Sequence, residues 1–136
     1  MAHYYVKEVK DGADQLLGWA VCNLDGVQVA GLFPTQSAAE QEANTLEASR
    51  QDILQQAAKK DKNTSERIDG GFSGPVLAYN DRFLLICAGR GNAAFVPRKP
   101  VDEADIEWEI DEIVYFEIRD GIATNRKRRL GMSLSR

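Results

Sequence analysis

Histidine and cysteine are scarce in this chain, whose 136 residues include only His3, Cys22 and Cys87 of these two types. Nucleophilic catalysis by serine or cysteine normally needs a base, which is usually histidine. His3 stands at the start of a predicted edge-like strand, where a solvent-facing position is expected. Because a zinc site needs about four cysteine or histidine ligands, the sequence predicts no metal site, no cofactor and no enzymatic activity.

Long hydrophobic runs and a secretory leader are also missing. No stretch approaches the ~20 apolar residues that a membrane span requires, and the first residues lead directly into a strand-like run without the apolar centre of a signal peptide. We therefore expect a cytoplasmic protein with no membrane partner, whose two cysteines are buried free thiols. The net charge of −4 argues against attraction of the whole protein to nucleic acid.

The first 60 residues predict a β-β-β-α module. Residues 3–9, 17–23 and 27–33 are rich in β-branched and aromatic side chains, as in strands. The dipeptide Asp25-Gly26 between the second and third strands is typical of a type I′ hairpin turn. The strands are therefore expected to form an antiparallel sheet.

A long helix is predicted over residues 36–60, which contain no glycine or proline and many good helix formers. Either Thr35 or Ser37 can cap its first turn. One face, interrupted by Arg50, carries apolar residues at helical spacing: Ala39, Ala43, Leu46, Ile53 and Ala57. We expect this stripe to lie on the hairpin sheet, and the alternative is a helix-to-helix contact in a homodimer.

The second half of the chain predicts strands alone. Residues 61–70 are polar and of mixed charge, which indicates a linker. Residues 71–125 hold several short strands separated by tight turns, which favours a small SH3-like meander or barrel. The predicted fold class is therefore α+β, followed by a basic tail at 126–136.

Eight carboxylates fall within residues 102–117, with no lysine or arginine among them. Their spacing lacks the order of an EF-hand loop and its central glycine, so a solvated acidic surface is expected. Its alternative role is to contact a basic partner, or the basic tail of the chain itself. The candidate contact residues are Glu107, Glu109, Asp111 and Glu112.

Basic residues concentrate in the tail and at one turn. Clustered lysine and arginine side chains near a terminus indicate phosphate contact without sequence reading. The turn Gly89-Arg90-Gly91-Asn92 lacks the lysine and the following helix of a phosphate-binding loop, so a hairpin turn with Arg90 at its tip is expected. The candidate contacts for nucleic acid or a protein partner are Arg90, Arg98, Arg126, Lys127, Arg128 and Arg129.

Short motifs in residues 70–98 resemble the KfrB-type domain found in proteins of broad-host-range conjugative plasmids. They are Gly71-Phe72-Ser73-Gly74-Pro75-Val76-Leu77-Ala78, Phe83, Gly89-Arg90-Gly91 and Phe95-Val96-Pro97-Arg98. The chain departs from the family pattern at Pro97-Arg98, where a histidine is expected after the Gly-Arg-Gly turn. The resemblance implies an accessory protein of a plasmid or other mobile element. The residues that it marks for attention are Phe72, Ser73, Gly74, Gly89, Arg90 and Gly91.

Two functions remain open on this sequence. The first is a non-enzymatic accessory binding protein that contacts DNA or a DNA-bound protein. The second is a protein-interaction or inhibitory protein that uses the acidic stretch 102–117 against a basic partner. An enzyme that works with carboxylates alone would need a concave pocket that gathers at least two of them.

Overall fold

The computed structural model describes residues 2–126, which form two compact units divided between Arg50 and Gln51. The elements are β1 (Tyr4–Lys10), β2 (Leu16–Asn23), β3 (Gln28–Phe33), α1 (Gln36–Lys59), β4 (Asn63–Glu66), β5 (Gly70–Tyr79), β6 (Phe83–Cys87), β7 (Asn92–Pro97), α2 (Arg98–Glu103), β8 (Ile113–Arg119) and β9 (Ile122–Asn125). The predicted α+β class is confirmed. Within the described residues, neither helix combines the length and apolar character needed to cross a membrane.

The first unit contains an antiparallel sheet in the order β1-β2-β3 and the first part of α1. The predicted strands and long helix are confirmed. Thr35 caps the helix, since its Oγ1 accepts a hydrogen bond from the Ala38 amide at 3.1 Å. The type I′ prediction is wrong, because only Gly26 of the Asp25-Gly26 pair has a positive φ (82°). The buried Asn23 side chain instead accepts bonds from the turn amides of Asp25 and Val27.

The apolar stripe of α1 is buried within the single chain at all five predicted positions. A homodimer is therefore not needed to shield this stripe from water. Of the two cysteines, both of which are free, Cys22 is buried as predicted, whereas Cys87 is half-buried. The prediction of a buried thiol is wrong for Cys87 because it ends β6, where the chain leaves the core for an exposed turn.

The second unit is built on a mixed six-stranded sheet in the order β4-β7-β6-β5-β8-β9. Its interior joins aromatic and aliphatic residues of five strands and α2, with the Phe72 and Phe116 rings stacked at 5.1 Å. Strands alone were expected over 71–125, and this prediction is wrong because the segment also contains the short helix α2. The SH3-like arrangement is not confirmed.

Residues 61–70, predicted as a linker, contain the edge strand β4. This strand pairs in parallel with β7, with Asn63 opposite Asn92 and Glu66 opposite Phe95. Backbone hydrogen bonds hold both of its ends, from the Asn63 amide to the Gly91 carbonyl at 2.8 Å and from the Arg67 amide to the Phe95 carbonyl at 3.0 Å. A polar strand suits the edge of a sheet, because one of its sides faces water.

Candidate functional site

The turn between β6 and β7 presents Arg90 to solvent. The Ala88 amide donates to the Asn92 carbonyl at 2.9 Å, and the Asn92 amide donates to the Gly89 carbonyl at 3.2 Å. Gly89 (φ 113°) and Gly91 (φ 74°) adopt backbone conformations that residues with a Cβ rarely reach. Arg90 stands between them at the exposed tip, so its side chain is available to a partner.

The strand β4 brings a second basic turn beside Arg90. The chain leaves α1 through a turn in which the Lys62 amide donates to the Ala57 carbonyl at 3.1 Å. It then enters β4, whose first amide bonds to Gly91. We call the four residues on these adjoining turns the basic surface: Lys59, Lys60, Lys62 and Arg90.

The basic surface is open to an anionic partner. Lys59, Lys60 and Arg90 are exposed and Lys62 is half-buried. Within residues 2–126, none of the four forms an ion pair with a carboxylate. A cation without an intramolecular ion pair breaks no existing contact when it binds a phosphate. These four residues can therefore hold a polyanion electrostatically.

Arg98 lies at the start of α2 and is committed to contacts within its own unit. Its Nη1 donates to the Asn80 carbonyl at 2.8 Å, and its Nε lies 3.3 Å from an Asp102 carboxylate oxygen. The guanidinium also lies over the rings of Trp108 and Tyr79, 5.2 and 5.7 Å from their centroids. Arg98 therefore joins α2 to the end of β5 and does not extend the basic surface.

Arg126 is also engaged within the chain. Its Nη2 donates to the Glu117 carboxylate, which accepts a second bond from Arg119, and the Arg126 amide donates to the Tyr115 carbonyl at 2.7 Å. The hydrogen bonds from Arg126 and Arg119 hold the pKa of Glu117 below its usual value. The remaining predicted tail contacts, Lys127, Arg128 and Arg129, lie outside the described residues.

The carboxylates of the acidic stretch differ in exposure and in their partners. Glu107, Glu109 and Asp111 are exposed on the segment that follows α2, whereas Glu112 is half-buried and Glu117 lies between two arginines. The segment is fixed to β5, since the Asp111 amide donates to the Val76 carbonyl at 2.7 Å and the Val76 amide donates to the Glu112 carbonyl at 3.0 Å. In the part of the chain that the structure describes, no three potential metal ligands are grouped.

The His3 side chain is 37% exposed and also forms a specific pairing that its position did not predict. Its Nδ1 lies 2.9 Å from a Glu47 carboxylate oxygen, and the amides of His3 and Tyr4 donate to the same carboxylate. Burial raises the pKa of Glu47, but these hydrogen bonds outweigh it and leave that pKa below the usual value. This pairing connects the start of β1 to α1.

The residues highlighted by the family resemblance occupy mainly structural positions. Phe72 is buried in the core, and Gly74 allows β5 to approach β6, because an added Cβ would lie 2.3 Å from the Cys87 carbonyl oxygen. Comparison of the chain with protein-family models, curated proteins and solved structures found no match. The resemblance to the KfrB-type domain stays a prediction.

Sequence reasoning missed Lys59, Lys60 and Lys62 as site residues. Lys59 and Lys60 end the predicted helix and Lys62 lies in the predicted linker 61–70, and nothing in the sequence predicts that these three residues lie beside Arg90. Residues 62–66 alternate between half-buried and exposed positions, but all five are polar, so no alternation of hydrophobicity signals a strand there. A strand there would have suggested that the preceding lysines have a fixed position.

Proposed function

We propose that this protein is a non-enzymatic accessory binding protein that contacts nucleic acid through the basic surface. The observation that supports it is the hydrogen bond from the Asn63 amide to the Gly91 carbonyl, which holds two basic turns side by side. The KfrB-type resemblance supports a role in a plasmid or other mobile element, in the cytoplasm. The partner would be DNA itself, or a DNA-bound protein together with the DNA that it holds.

Phosphate contact is the mode of binding that these residues favour. Lysine and arginine on exposed turns neutralise backbone phosphates, and such contacts give affinity and orientation without reading the sequence. The described helices are not suited to reading bases, because α1 buries its apolar stripe and α2 spans only Arg98–Glu103. The net charge of −4 requires that the attraction be local to the basic surface.

Neutralising part of the basic surface should reduce the salt dependence of binding. In the triple variant Lys60→Gln, Lys62→Gln and Arg90→Gln, we expect weaker binding to a fluorescent DNA oligonucleotide at low salt. The slope of log K against log salt concentration is negative, and its magnitude should decrease by about 2 to 3, since each phosphate contact contributes ~0.7 to 0.9. Fluorescence anisotropy over a salt series, with single-stranded and duplex probes, measures both quantities.

The control removes the same charge elsewhere, at the exposed residues Lys7, Lys10 and Lys99, each changed to glutamine. Its slope should equal that of the unmodified protein. Equal slopes for the two triple variants would show that any binding follows net charge alone, and would contradict a specific basic surface.

A second candidate function rests on the acidic segment after α2. Exposed Glu107, Glu109 and Asp111 alternate with apolar side chains, among them Ile110, which is 45% exposed, and Ile113 at 46%. Apolar side chains surrounded by carboxylates suit a partner that is both basic and apolar. This observation favours a protein-interaction or inhibitory role as the alternative.

Removing these charges should weaken capture of a basic amphipathic peptide. For Glu107→Gln, Glu109→Gln and Asp111→Asn combined, we expect a loss of affinity of about fivefold or more at low ionic strength, measured by isothermal titration calorimetry. The matched control carries Glu8→Gln, Glu40→Gln and Asp69→Asn, which are exposed elsewhere. If both variants bind the peptide like the unmodified protein, the acidic segment is not the interaction surface.

A further inference from the structure

A cavity of about 250 Å³ opens in the second unit beside the end of β6. It lies among strands β5, β6 and β7 and the residue that follows β4. Its lining combines one cation, one hydroxyl, one thiol and several apolar groups, among them Arg67, Ser73, Cys87, Phe72 and Ala88. This mixture of polar and apolar groups in a concave surface is typical of a small-molecule site.

Arg67 is held at this cavity by its neighbours. Its guanidinium carbon lies 4.8 Å from the centroid of the Phe72 ring. The guanidinium also rests on Gly70, where an added Cβ would lie 2.5 Å from one of its terminal nitrogens. Among the described residues Arg67 has no carboxylate partner, so its charge is available to an anionic ligand.

The other lining groups decide what kind of anion fits. The Ser73 side chain is exposed, and the Cys87 thiol donates to the Gly89 carbonyl at a sulphur–oxygen distance of 3.5 Å. Ile86 and Ala94, which face each other across β6 and β7, are each only 2% exposed. The apolar lining that a ligand can reach is therefore the half-buried Cys87 and the exposed Ala88. A bare inorganic ion would make no use of this apolar lining, whereas an organic anion would contact both it and the guanidinium.

We propose that this cavity binds a small organic carboxylate, with the carboxylate on Arg67 and the apolar body against Cys87 and Ala88. The guanidinium fork matches a carboxylate with two parallel hydrogen bonds. The cavity is smaller than the roughly 300–1,000 Å³ that accommodates drug-sized ligands, so the ligand is the size of a monocyclic aromatic acid. Arg67 lies outside the basic surface, and the proposal is independent of nucleic-acid binding.

Gly71 offers a way to fill the cavity without disturbing the fold. It lines the cavity in β5, an added Cβ would meet no atom within 4 Å, and its φ is not in the left-handed region. A β-branched side chain is also favourable in a strand. Gly71→Val should therefore fold and narrow the cavity. Gly12→Val makes the same change at another open glycine that does not line it.

The test is a titration of the full ¹⁵N-labelled chain with sodium benzoate, followed by two-dimensional NMR at constant ionic strength. We expect saturable shifts at the amides of Ser73, Cys87 and Ala88. Arg67→Gln should weaken benzoate binding about tenfold or more because the charged hydrogen bonds to the carboxylate are lost. Gly71→Val should have an effect of similar size because its side chain occupies the cavity. Gly12→Val should bind as the unmodified chain does.

Two further probes separate the parts of the proposal. Benzamide keeps the ring without the charge and should bind about tenfold more weakly than benzoate, while inorganic phosphate keeps the charge without the ring and should also bind more weakly. Absence of saturable shifts would overturn the proposal. It would equally be overturned if Arg67→Gln binds benzoate unchanged, or if phosphate binds as tightly as benzoate. Should Gly71→Val not fold, which the spectrum reports directly, Arg67→Gln and the two probes still decide the result.

Discussion

Replacing Gly74 with alanine is expected to lower the free energy of unfolding by about 3 kcal/mol or more. Gly74 lies in β5 opposite Val114 of β8, just before the strand continues as the partner of β6. Its φ is 151°, and an added Cβ would lie 2.3 Å from the backbone oxygen of Cys87. Because a backbone atom cannot rotate away as a side chain can, β5 and β6 would have to separate.

Gly71→Ala is the matched control for this substitution, since it lies in the same strand with open space around the position of a Cβ. We expect it to change stability by less than about 1 kcal/mol, or to stabilise the fold by restricting the unfolded chain. Urea unfolding followed by fluorescence measures both variants. Equal stabilities of Gly74→Ala and Gly71→Ala would contradict the close approach of β5 to β6.

The substitution Phe116→Ala is expected to cost about 3 to 5 kcal/mol, as is usual for removing a fully buried aromatic side chain. Phe116 in β8 is 1% exposed, and its ring stacks on that of Phe72 at a centroid distance of 5.1 Å. The truncation removes this ring contact and leaves a void in the interior of the six-stranded sheet. A loss of this size is a large fraction of the ~5 to 15 kcal/mol by which domains are stable.

Ile122→Ala serves as the control for Phe116→Ala. Ile122 lies in β9, next to β8, but is 69% exposed, so its truncation should change stability by no more than about 0.5 kcal/mol. Chemical unfolding of both variants provides the comparison. A loss below 1 kcal/mol for Phe116→Ala would mean that its ring is not part of a packed interior.

Elements with strong local signals were predictable. The long helix follows from an uninterrupted run of helix formers and an available cap at Thr35, and its buried stripe follows from the helical spacing of Ala39, Ala43 and Leu46. The hairpin of β6 and β7 follows from an apolar run and the glycines around Arg90. Each of these depends on residues that are close in sequence.

The candidate site was predictable only in part. Arg90 was expected at an exposed turn and lies there. Arg98 and Arg126 looked equally available in the sequence, but the structure pairs them with Asp102 and Glu117. The segment before β5 was expected to be a linker because its residues are polar, and nothing local shows that an edge strand will pair in parallel with a partner about thirty residues later.

By itself, the sequence determined the fold class, the helix, most strands and the scarcity of residues for histidine- or zinc-based chemistry, because these depend on composition and on spacing over a few residues. Only the tertiary structure decided which cations are free and which are paired. It also placed Arg90 beside the lysines at and just after the end of α1, and it formed an open cavity beside Arg67. The physical reason is that ion pairs, parallel strand pairing and cavities are formed by residues far apart in the chain, whose proximity is set by packing and not by local propensity.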